Sequence, residues 1–150
     1  MELTWYDVHH SELSVQQLHD ILALRNRVFI VEQQCAYEDI DGQDLARDNC
    51  HIFALGEGRL LACARILTPV EAGSPVTIGR VIVTSEARGL QLGYRLMERV
   101  LESCDRYWPG RRQALSAQAH LQVFYGRMGF EPVGEVYLED NIPHIDMVKY

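Results

Sequence analysis

The stretch Ile78-Gly79-Arg80-Val81-Ile82-Val83, with Arg88-Gly89-Leu90-Gln91-Leu92-Gly93-Tyr94-Arg95-Leu96-Met97 following it, decides how the chain is read. An apolar strand runs into a glycine-bearing turn and then into an amphipathic helix. A turn that exposes backbone N–H groups at a helix start offers oriented donors and the positive end of the helix dipole. A pyrophosphate binds such a turn without a matching lysine. Glycine lets the backbone come close to the anion and adopt positive φ. A glycine turn alone also serves capping and packing; the succession of strand, turn and helix is what points to phosphate.

Size and charge bound the rest. A chain of 150 residues with 47% hydrophobic composition is read as one domain spanning 1–150, able to bury roughly two thirds of its unfolded surface without metals or disulfides. The start, Met1-Glu2-Leu3-Thr4-Trp5-Tyr6-Asp7, has no basic region, and no apolar run is long enough to span a bilayer. A cytoplasmic protein with no membrane partner is expected. Cys35, Cys50, Cys63 and Cys104 are scattered without C-x-x-C pairing, which reads as reduced, buried thiols and no structural zinc. Cys35 lies in a polar stretch where exposure is expected. The net charge of −7 is unevenly spread: Arg80 to Arg112 carries seven arginines against four acids, +3, leaving −10 elsewhere. A basic half suits an anionic cofactor; an acidic remainder suits an amine substrate and argues against nucleic acid. For any single charge, a solvated surface is the ordinary reading.

Working outward, Leu3 to Val8 alternates as a first strand. Ser14-Val15-Gln16-Gln17 reads as a capping box, and Leu18, Ile21, Leu22, Val28 and Phe29 recur at helical spacing, so a helix is expected to about Ile30. Gln33 to Asn49 is acidic and irregular. His51 to Leu55, the turn Gly56-Glu57-Gly58, and Leu60 to Leu67 predict a hairpin ahead of the strand ending at Val83. The next helix puts Leu92, Leu96, Val100, Leu101 and Cys104 on one face, with Glu102 and Arg106 spaced as an i,i+4 pair, and Pro109-Gly110 stops it. A short strand over Ala114 to Ala117, a helix from Leu121 to Met128 and two last strands complete the order β-α-β-β-β-α-β-α-β-β. That order fits an α/β domain with a mixed, mostly antiparallel sheet flanked by helices.

The Arg88 to Gly93 arrangement after a strand resembles the acetyl-CoA signature of the GNAT superfamily of N-acetyltransferases. The likeness continues in Ala114-Leu115-Ser116-Ala117-Gln118 and in Phe124-Tyr125-Gly126-Arg127-Met128-Gly129-Phe130, and it covers most of the chain. Arg27-Val28-Phe29-Ile30-Val31-Glu32-Gln33, the tract from Ala117 to Tyr125 and the tail from Gly134 to His144 are similar to the small bacterial ElaA branch. There are two departures from the general pattern. Gln91 stands where the signature has its middle glycine, and Gln118 stands where an asparagine is often found. Gln91 keeps its N–H, but a positive φ there would be costly.

The resemblance implies a GNAT fold with splayed central strands and acetyl-CoA as cosubstrate, without a metal. Acetyl transfer to an amine needs the two reactants held in line, a stabilised oxyanion, loss of a proton from nitrogen and protonation of the thiolate. By resemblance, the backbone of Val81, Ile82 and Val83 lies along the pantetheine arm, and N–H groups of Arg88, Gly89, Leu90, Gln91, Leu92 and Gly93 hold the pyrophosphate, with Gln118 nearby. Tyr125 matches the tyrosine that faces the sulfur, and a phenol stays protonated at neutral pH and can donate to a thiolate. Without that motif, a Phe-Tyr pair on a helix reads as core. For the general base the candidates are Glu32, His51, His120 and Glu135, with His120 and Glu32 preferred. An imidazole titrates near neutrality, and a carboxylate at a helix C-terminus is a misfit with the dipole. A water chain is the alternative.

The acceptor expected is a small-molecule or peptide amine, drawn by the acidic Glu38-Asp39-Asp41-Asp44-Asp48 segment; monomer and homodimer both remain open. Arg25, Asp41, Asp44, Arg65 and Arg80 also resemble the scattered signature of acyl-homoserine-lactone synthases, although Thr77 stands where a glutamate would precede Arg80. A structural ion network is the plainer reading of those charges. A non-catalytic acyl-CoA-binding module is the remaining alternative.

Overall fold

The computed structural model describes residues 2–87 and 91–150. A seven-stranded sheet runs in the order β1-β2-β3-β4-β5-β7-β6. Its strands are β1 (Leu3–His9), β2 (Cys50–Gly56), β3 (Arg59–Leu67), β4 (Val76–Val83), β5 (Gln113–Gln118), β6 (Glu131–Glu139) and β7 (Ile142–Lys149). Among the described residues three α-helices cover it: α1 (Val15–Arg25), α2 (Leu92–Tyr107) and the short α3 (Gln122–Gly126). The element order is the expected one. All neighbouring strands are antiparallel except β4 and β5, which run parallel.

Two apolar layers sandwich the sheet. Leu92, Leu96, Met97, Val100 and Cys104 of α2 bury against Ile52, Ala54, Ala62, Ala64 and Ile78, a layer that extends under α3 to Leu115, Ala117, Tyr125, Ile145 and Met147. On the opposite face Ile21, Leu24 and Val28 pack on Phe53, Cys63 and Ile82. Alternation along β2 and β3 sends neighbouring residues to opposite layers, so central strands buried on both sides read as continuous apolar runs. The four cysteines are free and buried; Cys35, expected to be exposed, is 8% accessible.

The capping box of α1 forms, with Gln17 N donating to Ser14 Oγ at 3.0 Å and Ser14 N donating to Gln17 Oε1 at 2.9 Å. The helix does not end at Ile30. From Asn26 to Glu32 it widens into a π-helical turn, closed by Gln33 N donating to the Val28 carbonyl at 3.1 Å. Such a turn shifts the facing of later residues, which a 3.6-residue period cannot anticipate. The expected pair Glu102 to Arg106 is not made; Arg106 lies instead over the Tyr107 ring at 5.8 Å. Likewise α3 is only five residues long and is preceded by a 3-10 turn, Ala119–Leu121. Beyond it Gly129 sits at φ 97°, a conformation that L side chains rarely adopt.

Two features of β4 open the sheet. Pairing with β5 covers only Val76 with Gln113 and Thr77 with Ala114, after which the two strands part. On its other edge Gly79 faces Arg65 and Ile82 faces Cys63, leaving Arg80 and Val81 opposite a single residue of β3. That bulge carries Arg80 at φ 53°, and a bulge bends its strand and frees the extra residue from the ladder.

Candidate active site

The gap between β4 and β5 is a cavity of 760 Å³, lined by Ile78 to Val83 of β4 and by Leu115 to Gln118 of β5. That volume is in the range of small-molecule and cofactor sites. The cavity reaches both faces of the sheet. On the α2 side its wall is Gln91, Leu92, Gly93, Leu121, Phe124 and Tyr125; on the α1 side it is Phe29, Gln33, Cys35, Tyr37, Glu139 and His144.

Among the expected cofactor-site residues, Val81, Ile82, Val83, Gln91, Leu92, Gly93 and Gln118 all border this one space. Arg88, Gly89 and Leu90 lie outside the described residues. Gln91 is the N-cap of α2, with φ 53° and ψ 27°, and its side chain makes no capping hydrogen bond. The left-handed conformation that would be costly for glutamine is therefore the one adopted. The first intrahelical bond runs from Arg95 N to the Gln91 carbonyl at 3.2 Å, so the N–H groups of Leu92, Gly93 and Tyr94 at this terminus have no partner within the helix. Gly93 marks a close approach: a Cβ there would stand 3.3 Å from Phe124 Cζ and 4.0 Å from Val83 Cγ2. An uncapped helix start, a slot between parted strands and a bulged strand edge together fit a long phosphorylated thiol carrier. The basic excess of this region is not concentrated on the cavity. Arg95 and Arg99 stack over Trp5, and Arg111 and Arg112 donate to the carbonyls of Ser74 and Gly73.

Tyr125 is 6% accessible and wedged edge-on between Phe124 and Phe130, with centroids at 5.0 and 6.2 Å. Burial pushes its phenol up to about 12, which keeps it protonated at neutral pH. His120 borders the cavity and is exposed. The other base candidates lie elsewhere. Glu32 is exposed at the end of the π-helical turn, and Glu135 is exposed on β6; neither lines the cavity. His51 is buried, its Nε2 donates to the Asp44 carbonyl at 2.9 Å, and burial lowers its pKa.

The acidic segment expected to attract an amine is occupied. Arg25 donates to Asp39 at 2.9 Å and to Asp44 at 2.6 Å; Arg65 donates to Asp41 at 2.7 Å and to Asp44 at 3.2 Å; Arg80 donates to Asp39 at 2.8 Å. Tyr37 donates to Asp39 at 2.8 Å, and Arg80 lies over its ring at 5.6 Å. Burial alone would raise Asp44, but Arg25 and Arg65 outweigh it and hold Asp44 below its ordinary value; the Arg65 hydrogen bond does the same for Asp41. Three guanidinium groups and three carboxylates thus neutralise one another and fix the 33–49 segment to β3 and β4. The lactone-synthase-like charges form this network. What sequence reading missed is the other side of the cavity: Glu139 and Asp140 supply carboxylates outside the arginine network, and His144 an imidazole. The quoted tail contained them, but only strand register brings them to the gap.

Comparison with known proteins agrees with this geometry. Residues 11–150 match the family model of the acetyltransferase (GNAT) domain. The chain is similar to Protein ElaA of Escherichia coli K12, 53% identical over 98% of this chain and 96% of that protein. It superposes on the crystal structure of E. coli ElaA with a TM-score of 0.96 at 52% identity, covering 99% of this chain and 100% of the other. An acyl-CoA N-acyltransferase from Pseudomonas aeruginosa gives 0.95 at 50% identity, over 99% and 100% of the two chains. A CoA-dependent acyl-homoserine lactone synthase, BjaI, gives 0.81 at 17% identity over 98% and 82%, a likeness of fold alone. With the parted β4 and β5 and the uncapped α2, these matches establish that the chain belongs to the GNAT acyltransferase family, on its ElaA-like branch.

Proposed function

We propose that this protein, acting as a single cytoplasmic domain over 1–150, transfers an acetyl group from acetyl-CoA to a primary amine by direct attack in a ternary complex. The observation that carries the reading is the cavity itself, which opens on both faces of the sheet so that two reactants can meet between β4 and β5. The backbone at Leu92 and Gly93 would hold the pyrophosphate. Val81, on the bulge, would direct a backbone donor at the thioester oxygen, and Val83 would follow the pantetheine arm. Tyr125 would give its proton to the departing thiolate. Cationic acceptors are favoured because Glu139 and Asp140 border the α1-side mouth while the arginines beside it are already neutralised.

Thermal unfolding with acetyl-CoA and with CoA, followed by thiol-release assays over a panel of amines, tests the proposal. Ligand at about 100 times its dissociation constant adds about 2.7 kcal/mol. Stabilisation with amine-dependent thiol release supports transfer. Stabilisation with no release from any amine would leave an acyl-CoA-binding module, and no stabilisation by either ligand would remove the reading.

A further inference from the structure

We propose that His144 is the general base that takes the proton from the acceptor amine, and that Glu139 binds the incoming ammonium and then stabilises the imidazolium. This rests on the amine-transfer reading above. His144 sits on β7 between Gln118 of β5 and Tyr137 of β6, directly opposite each in the register. Directly opposed residues project from the same face of a sheet, and here Gln118 and His144 both line the cavity. His144 Nδ1 lies 2.7 Å from the Ile142 carbonyl oxygen. A carbonyl only accepts, so the neutral ring carries its hydrogen on Nδ1 and a lone pair on Nε2. Tyr137 stacks on the ring at 6.2 Å, and its own hydroxyl is anchored by donation to Asp146 at 2.7 Å. The imidazole is thus held in one tautomer and one orientation.

Nε2 stands 3.4 Å from Glu139 Oε2. Two acceptors aimed at each other, with no hydrogen between them in the neutral state, repel; a cationic N–H donor placed against both removes the repulsion. An acceptor ammonium is such a donor. It loses one proton to Nε2, its nitrogen lone pair forms the N–C bond to the acetyl carbon, and the C–S bond breaks with the electron pair leaving on sulfur. The thiolate takes the Tyr125 proton, and Tyr125 recovers one from solvent. The second nitrogen proton leaves to solvent and the His144 imidazolium returns its own proton to solvent, so the net products are amide, thiol and one released proton. None of the other carboxylates or imidazoles named above combines cavity access with a fixed tautomer. His120 has no side-chain hydrogen bond among the described residues, and His51 is buried away from the gap.

The charged and titratable groups around the ring are Glu139 and Tyr137 on β6, Asp140 in the turn, Asp146 on β7, and His120, Arg65 and Arg80 across the cavity. The arginines are paired with aspartates, so Glu139 is the charge expected to act on His144. The first arm of the test needs no turnover. Imidazole ¹⁵N spectra of the wild type should show the neutral His144 ring with hydrogen on Nδ1 and a bare Nε2, and Glu139→Gln should perturb the Nε2 resonance, because the carboxylate beside it is gone. Hydrogen on Nε2 of the neutral ring, or no response to Glu139→Gln, would overturn the proposal. The second arm follows acetyl-CoA turnover with tyramine, spermidine and a short peptide bearing a free N-terminus. His144→Gln should lower kcat by about 100-fold or more and abolish the ascending limb of the pH profile, with CoA affinity by calorimetry unchanged; Glu139→Gln should raise KM for the amine. An active wild type with an equally active His144→Gln would remove the base alone. A wild type that binds acetyl-CoA and acetylates none of these amines would remove the base together with the reading beneath it.

Discussion

Gln91 and Tyr125 show how much turns on single positions. Gln91 adopts φ 53° at the start of α2 and makes no cap with its side chain; a left-handed conformation costs an L residue about 1–2 kcal/mol. Glycine removes that cost but adds freedom to the unfolded chain. Gln91→Gly should therefore raise unfolding stability in urea by about 0.5–1 kcal/mol, while Gln91→Ala, which keeps the Cβ, should not. A clear loss in the glycine variant would show that the side chain contributes more than the backbone strain removes. Tyr125 makes a different demand. Its hydroxyl has no hydrogen-bond partner among the described residues, and the residue borders the cavity. Tyr125→Phe should leave stability within about 0.5 kcal/mol and CoA affinity unchanged, yet lower kcat by about 100-fold or more. Steady-state kinetics beside calorimetry separate those effects; equal loss of affinity and rate would assign Tyr125 to packing.

At the scale of elements, the legible and the illegible parts of the fold divide by range of interaction. The capping box at Ser14 and the apolar face from Leu92 to Cys104 are written in neighbouring residues, so periodicity and local chemistry find them. The parting of β4 from β5, the bulge at Arg80 and the π-helical turn after Arg25 depend on pairings between distant segments, and no window of sequence contains them. His144 alone in a tail strand looks like any surface histidine; only the β5-β7-β6 register sets it between Gln118 and Tyr137. A structural network among the Arg and Asp residues was legible as the plainer reading of those charges; which carboxylate each guanidinium takes was not, because that depends on how the 33–49 segment lies on β3 and β4. Two predictions belong here. Asp44 accepts from both Arg25 and Arg65 and is 5% accessible. Asp44→Asn leaves buried guanidinium charge uncompensated and should cost about 3–5 kcal/mol in denaturant unfolding; a loss below 1 kcal/mol would make the network dispensable. Gly93→Ala presses a methyl on Phe124, which Tyr94 and Tyr125 hold at centroid distances of 4.8 and 5.0 Å. The gain in helix propensity, up to about 1 kcal/mol, should be cancelled by that contact. CoA affinity should fall as α2 tilts from β4, and calorimetry on the folded variant reads this directly.

The whole molecule responds to pH through the groups it buries. His51 lies in the sheet with Nε2 on the Asp44 carbonyl, and burial lowers its pKa from the ordinary 6.5. In the folded state it resists protonation, so the unfolded chain binds the extra proton. Its contribution to stability is complete above pH 6.5 and is lost as pH falls toward the lowered folded value. Asp41 and Asp44 are held below their ordinary 3.8; theirs is complete above that value and is lost only as pH falls through the folded pKa values. Two declines are therefore expected on acidification, a first beginning near pH 6.5 and a second below pH 3.8. The first can be no steeper than about 1.4 kcal/mol per pH unit for one proton. His51→Gln keeps a donor for the Asp44 carbonyl but cannot be protonated, so it should flatten the first decline and preserve the second. Urea unfolding of both proteins at half-unit steps from pH 7.5 to 4.5 reads the slope. A variant that declines as steeply as the wild type over that range would place the titrating group elsewhere, since the ion network does not change protonation until more acidic pH.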